Sequence, residues 1–166
     1  MTTDRRYISI IFLIIIDFKI PSRNNVFKKF SKPDAKAFVF YVCDQMKDLT
    51  ILLEDKPGSL AEVTKTLGNA GINIEGGCGY PAVGRGIFHI LVEDAVSARN
   101  SLEAVGITIS EEKDVMIIDL DNQPGEIGNL TSKFGEAGVN IDLFYFASNN
   151  RIVISVDDFD KAKTLI

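Results

Sequence analysis

The chain has one histidine, His89, two cysteines, Cys43 and Cys78, and no tryptophan. Two cysteines outside any Cys-x-x-Cys pair exclude a disulfide framework and suit a reducing compartment, so a cytoplasmic location is expected. With a single imidazole they leave too few ligands for a nitrogen- or sulfur-bound metal. Cys78 has no neighbouring cation or histidine in the sequence to depress its pKa, and is expected to be inert. A long apolar run is missing too. Ile8 to Ile16, behind Arg5-Arg6, is broken only by Ser9 and is about half the ~20 residues that cross a bilayer. The Asp17-Phe18-Lys19-Ile20-Pro21 that follows offers no small-residue cleavage site, which argues against a secretory signal.

Positive charge is scarce where a polyanion would need it. Net charge is −5 but uneven: residues 1–45 hold eight Lys and Arg against four Asp and Glu, and the remainder ten against nineteen. Phosphate neutralisation requires clustered Lys and Arg, so no nucleic-acid partner is expected. Lys28-Lys29 beside Phe27 and Phe30 is a weak basic-aromatic cluster and lies in the atypical leading segment. Nothing pairs a nucleophile with a base, gathers metal ligands or forms a phosphate loop, so no enzyme chemistry, cofactor or metal is implied. The glycine-rich stretch Gly76 to Gly86 runs into a strand, not a helix, and reads as a hairpin loop rather than a phosphate cradle. Glu111-Glu112 and Asp157-Asp158 read as a solvated strand end and a helix cap rather than paired catalytic acids. His89 reads as structural.

What the chain does have is a repeat. Asp55 to Ile74 recurs 67 positions later as Asn122 to Ile141. Pro57-Gly58 returns as Pro124-Gly125, Leu60, Val63 and Leu67 as Ile127, Leu130 and Phe134, and Ala70-Gly71 and Asn73-Ile74 as Ala137-Gly138 and Asn140-Ile141. Such periodicity sets the architecture before any local assignment. Within each copy a strand ends at a tight turn. Proline follows near the first helical position, where its missing amide costs nothing. Leu60, Val63, Leu67 and Ala70 then fall on one helix face, and Gly71 sits where a left-handed residue ends a helix.

The first copy reads as strand Leu49–Glu54 (half-buried), helix 58–70, a strand from Ile72, strand Ile87–Glu93, helix Ala95–Val105 and strand Thr108–Glu112. The second reads as strand Asp114–Leu120, helix Gly125–Ala137, strand Asn140–Ala147, an Asn149-Asn150 turn, strand Arg151–Val156 and helix Phe159–Ile166. The expected fold is α+β: two ferredoxin-like βαββαβ units in tandem, the second lacking its last strand, with antiparallel sheets and helices on one face. The expected domains are a first unit at 46–112 and a second at 113–166. Residues 1–45 form an atypical extension, either non-native or an accessory strand from Phe38–Val42 or Ile8–Ile16. Met46 opens the first repeat cleanly, so the functional chain is expected to start there. The missing strand leaves a bare edge, which invites pairing with a neighbouring repeat or a second protomer; side-by-side sheets and a homodimer or higher homo-oligomer are expected.

The turns are the candidate binding sites. A helix start offers unpaired amides and the positive dipole end, which suit a carboxylate, and Gly58 lets a ligand approach the backbone. Asp55 and Asn122, two residues before each proline, present oxygens for an ammonium group; capping of the helix alone is the competing role. Asn73 and Asn140 each offer a donor and an acceptor, or simply tie down the strand start.

The pattern Asp-Lys-Pro-Gly-Ser-Leu … Leu-Gly-Asn-Ala-Gly-Ile-Asn-Ile, with its second copy Asn-Gln-Pro-Gly-Glu-Ile … Phe-Gly-Glu-Ala-Gly-Val-Asn-Ile, resembles the ACT domain over residues 49–166. The resemblance implies a stand-alone tandem regulatory protein, not an enzyme. It would bind a free amino acid or similar small zwitterion and act on a separate metabolic enzyme, with no membrane or nucleic-acid partner. It also implies sites shared between units, the turn of one facing the strand of the next. The implied ligand-binding residues are Asp55, Lys56, Pro57, Gly58, Ser59 and Leu60 with Asn140, and Asn122, Gln123, Pro124, Gly125, Glu126 and Ile127 with Asn73. The family's best-described sites carry a polar residue four before the proline. Here those positions are Leu53 and Leu120, which argues against serine-like recognition. The alternative is a structural subunit that dimerises and regulates an enzyme without a ligand. RNA-binding domains share the βαββαβ order, but the third strands here, Gly86–Ile90 and Arg151–Ile154, lack the aromatic ladder those domains need.

Overall fold

The computed structural model describes residues 46–166 in full and the backbone of residues 28–30 and 39–42. In chain order the elements are β1 (Lys28–Phe30), β2 (Val39–Val42), β3 (Lys47–Glu54), α1 (Ser59–Asn69), β4 (Gly76–Ala82), β5 (Arg85–Val92), α2 (Ala95–Glu103), β6 (Ile109–Asp114), β7 (Met116–Asp119), α3 (Glu126–Glu136), β8 (Ile141–Ala147), β9 (Arg151–Val156) and α4 (Phe159–Lys163). Among these residues the strand order is β1-β2-β7-β9-β8-β4-β5-β3-β6, and each of the paired strands runs antiparallel to its neighbour. Strands β4-β5-β3-β6 with α1 and α2 make one ferredoxin-like unit. Strands β8-β9-β7 with α3 and α4 make the second, and among the described residues no strand follows α4 to complete it. That vacant edge is taken from upstream: Val39, Phe40 and Tyr41 of β2 pair with Asp119, Ile118 and Ile117 of β7. The accessory strand expected at Phe38–Val42 therefore lies at Val39–Val42. Ile8–Ile16 and Cys43 lie outside the described residues.

The repeat dictates matching cores. Leu49 and Ile51 of β3 pack with Ile90 and Val92 of β5 beneath Val63 and Leu67 of α1 and Ala98 and Leu102 of α2. In the second unit Met116 and Ile118, Ile152 and Ile154, Leu130 and Phe134, and Ala162 take the same places. Asp94 and Asp158 cap the second helix of each unit, accepting from Ser97 N at 2.9 Å and Lys161 N at 3.0 Å. Asn149 and Asn150 both have positive φ, 60° and 57°, the turn that matches strand twist.

The opposite sheet faces are not free. Tyr145 Oη on β8 donates to Asp48 Oδ1 on β3 at 2.8 Å, although these strands lie three apart, roughly 14 Å in a flat sheet. Val115 alone joins β6 to β7, which are six strands apart in the order and would be roughly 28 Å apart if it were flat. The sheet therefore doubles over. Its two halves meet edge to edge at a single pairing, Gly76 with Ala147, and beyond that point turn face to face with the helices outside. Met46, Leu91, Val115, Ile117, Tyr145 and Val153 form a third core between the halves. Side-by-side packing thus holds only at the Gly76–Ala147 seam. This corrects the half-buried reading of β3 in its first half only: Asp48 and Thr50 are buried like Leu49 and Ile51, because the second sheet covers them, while Leu52 and Glu54 on the same side stay exposed.

The glycine-rich segment is likewise a strand rather than a loop. The strand expected from Ile72 begins at Gly76, and only Val83-Gly84 turn, with φ of 48° and 75°. Contact explains the glycines. A Cβ on Gly76 would stand 2.7 Å from Ala147 Cβ, and one on Gly77 2.5 Å from the His89 carbonyl.

Candidate functional site

Both Pro-Gly turns fold alike. Lys56 N donates to Glu54 O at 2.9 Å and Gln123 N to Asp121 O at 2.7 Å. Gly58 (φ 97°) and Gly125 (φ 95°) occupy the N-cap positions with no side-chain cap bond. Asp55 and Asn122 therefore do not fill the cap position, which removes capping as their competing role. Gly58 O and Gly125 O accept from Glu62 N and Asn129 N, starting the helices. Residues 55–58 and 122–125 are exposed, and Ser59 and Ile127 half-buried. Leu60 is 48% exposed, so the apolar stripe of α1 begins at Val63 and leaves Leu60 outward at the turn. Glu126 is buried at 7%. Lys56 pairs with Glu54; that bond, then its charge, lowers the Glu54 pKa and raises that of Lys56.

The two asparagines share one local device. Asn73 Nδ2 donates to Glu75 Oε1 at 2.6 Å, and Asn140 Nδ2 to Asp142 Oδ1 at 3.1 Å. Asn140 bonds within its own unit: its backbone N–H donates to Asp157 Oδ1 at 2.9 Å and its carbonyl accepts from Asp157 N at 3.1 Å. Asn73 is connected further. Glu75 Oε2 accepts from Ser148 Oγ at 2.9 Å and from Arg151 Nη2 at 2.6 Å, and Glu75 O accepts from Ser148 N at 2.8 Å. Arg151 Nε in turn donates to Ser148 O, and Asn150 O accepts from Leu120 N at 3.1 Å. A chain of contacts thus runs from Asn73 across the seam to Leu120, two residues before Asn122. The first unit's turn and Asn140 have no such connection through Asn140's bonds. Burial alone would raise the Glu75 pKa; the bonds from Asn73, Ser148 and Arg151, with the guanidinium charge, outweigh it and hold the carboxyl below its ordinary value.

Glu75, Ser148 and Arg151 were missed in the sequence. A signal existed: Asn73-Ile74-Glu75 and Asn140-Ile141-Asp142 extend the repeat by one acid. Asp48, Thr50, His89 and Tyr145 were also missed as a group. Asp48, with no solvent exposure, accepts from Tyr145 Oη, lies 2.9 Å from His89 Nδ1 and 3.4 Å from Thr50 Oγ1. His89 is 6% exposed and is a structural member of this network. Burial, then the Asp48 charge and hydrogen bond, pushes the Tyr145 hydroxyl far above its usual range. Burial, then Asp48, also raises the Cys78 thiol, which suits an inert cysteine. Among the described residues no group of three or more His, Cys, Asp or Glu could hold a metal, and no helix is long and apolar enough to cross a membrane.

Two ferredoxin-like units joined through their strands, each with a glycine-started helix behind a Pro-Gly turn, define a tandem-domain class of protein. Residues 44–166 match the family described as the ACT domain pair, and the chain belongs to that family. Among solved structures it is similar to protein BT0572 from Bacteroides thetaiotaomicron, at 32% identity over 72% of this chain and 84% of that one, with a TM-score of 0.66. It shares its fold with the regulatory subunits of aspartate kinase from Thermus flavus (19% identity, 77% and 91% covered, TM-score 0.60) and Thermus thermophilus (20%, 76% and 91%, 0.58). No curated protein sequence matches the chain.

Proposed function

We propose that this ACT domain pair is a non-enzymatic regulatory module that binds a free amino acid between its units and acts on a separate metabolic enzyme in the cytoplasm. The contact chain from Asn73 to Leu120 carries this reading, because it links one unit's strand start to the segment leading into the other unit's helix start. The ligand carboxylate would sit at the amides opening α3, near Gln123, Pro124, Gly125, Glu126 and Ile127, and its ammonium group at Asn122 and Asn73. The equivalent pairing of Asp55, Lys56, Pro57, Gly58, Ser59 and Leu60 with Asn140 is the weaker half, since Asn140 bonds inside its own unit. The fold shared with regulatory subunits of aspartate kinase supports a partner that is an enzyme of amino-acid metabolism. A melting screen against the twenty standard amino acids tests the reading: a ligand at 100 times its Kd adds about 2.7 kcal/mol. Asn73→Ala should abolish the shift, while the loss of its hydrogen bond to Glu75 lowers ligand-free stability by only about 0.5–1.5 kcal/mol.

A second reading, a dimerising subunit without ligand, draws on the edges of β4 and β8 beyond the seam, which pair with no other strand among the described residues, and on Phe146, 62% exposed. A flat response to every amino acid, with a stable homodimer in solution, would favour it.

A further inference from the structure

The two carboxylate oxygens of Glu75 bond to different units. Oε1 takes the Asn73 amide of its own unit, and Oε2 takes Ser148 Oγ and Arg151 Nη2 of the other. In the second repeat the shorter Asp142 keeps only the local half of this arrangement: it accepts from Asn140 and is exposed. One methylene separates an acid that orients an asparagine from an acid that also reaches across the seam. The seam has no slack there, because Gly76 and Ala147 pack as closely as a missing side chain allows.

The orientation of Asn73 follows. One N–H of its amide is given to Glu75, which fixes which end of the amide faces that carboxylate and leaves the carbonyl oxygen as an acceptor. That oxygen suits the ammonium end of a zwitterion, not the carboxylate end. Movement of Asn73 toward such a group would be felt at Oε1 and, through Oε2, at Arg151 and the β8–β9 hairpin.

We propose that Glu75 is the positioning residue of the amino-acid site and the coupling element through which its occupancy is read by the second unit. The inference rests on the binding reading above. It assigns Oε1 to orienting Asn73 and Oε2 to transmission.

The test is hydrogen exchange by mass spectrometry on the full chain, with and without each of the twenty standard amino acids in millimolar amounts. In the wild type, the amino acid that raises the melting temperature should slow exchange at residues 147–151. Glu75→Asp shortens the reach as Asp142 does. It should still bind that amino acid and lose the slowing at 147–151. Arg151→Lys keeps the charge but loses the planar fork that holds Nε on Ser148 O while Nη2 reaches Glu75 Oε2; the same loss is expected. Retention of the slowing in either variant overturns the coupling, as does wild-type binding with no change at 147–151. Failure of Glu75→Asp to bind overturns the division between the two oxygens. Absence of any amino-acid effect on the wild type sinks the binding reading itself, a result distinct from the others.

Discussion

A carboxylate cut off from water needs donors on both oxygens, and Asp48 draws them from β3, β5 and β8, so its solvation depends on the sheet doubling over. Tyr145→Phe removes one donor and leaves the carboxylate in place, the expensive way to break a buried bond. A loss of about 1–3 kcal/mol is expected, read as a lower urea midpoint. Glu75 is the contrasting case, with its pKa held down mainly by bonds that outweigh burial. A depressed carboxyl contributes stability that is fully present above its unfolded value, about 4.3, and is lost as pH falls through the lower folded value. The stability difference between wild type and Glu75→Gln should therefore be largest near neutral pH and vanish below the folded pKa. Denaturation series at several pH values would show it, and a difference that persists in acid would mean that Glu75 acts through packing. None of these residues declared itself alone in the sequence. Asp48 and Tyr145 are ordinary residues until the sheet brings positions 97 apart within a hydrogen bond.

The elements that the repeat defines were legible because their signals are local. Proline and glycine mark the turns, apolar spacing marks α1 and α3, and glycine at 71 and 138 takes positive φ, 72° and 68°, where each helix ends. The strand β4 was illegible for an equally physical reason. Glycine weakens strand propensity, and the cause of its presence is a neighbour remote in sequence: Ala147 at Gly76 and the His89 backbone at Gly77. The candidate turns were readable from the repeat, whereas the Glu75 bridge depends on a seam that no single segment encodes. Gly76→Val tests that account. Its added methyls have no room beside Ala147, so the seam should part while both helix-covered cores stay folded. The expected cost is about 1–3 kcal/mol, with faster exchange at Ser148 N, whose acceptor is Glu75 O. Undisturbed protection of that amide would show that the β4–β8 contact adapts more easily than its spacing implies.

At the scale of the molecule, each unit is closed differently. β6 runs along β3 through pairs from Lys47–Asp114 to Ile51–Ile109, and it belongs to the same unit in sequence. β7 is closed on its outer side by β2, which precedes the first unit altogether. The first unit is thus threaded between two pieces of the second, and the segment whose charge balance differs from the rest supplies a strand to the second unit. Antiparallel edges left bare recruit other chains. A protein beginning at Met46, the start suggested by the repeat, would expose β7 over Ile117, Ile118 and Asp119. Faster hydrogen exchange in β7 than in β3 is expected of it, together with concentration-dependent association in light scattering. The full chain should keep β7 protected and show less association through this edge. If the Met46 form instead holds β7 as protected as β3 and scatters as the full chain does, the upstream strand is dispensable, and residues 46–166 close the second sheet without it.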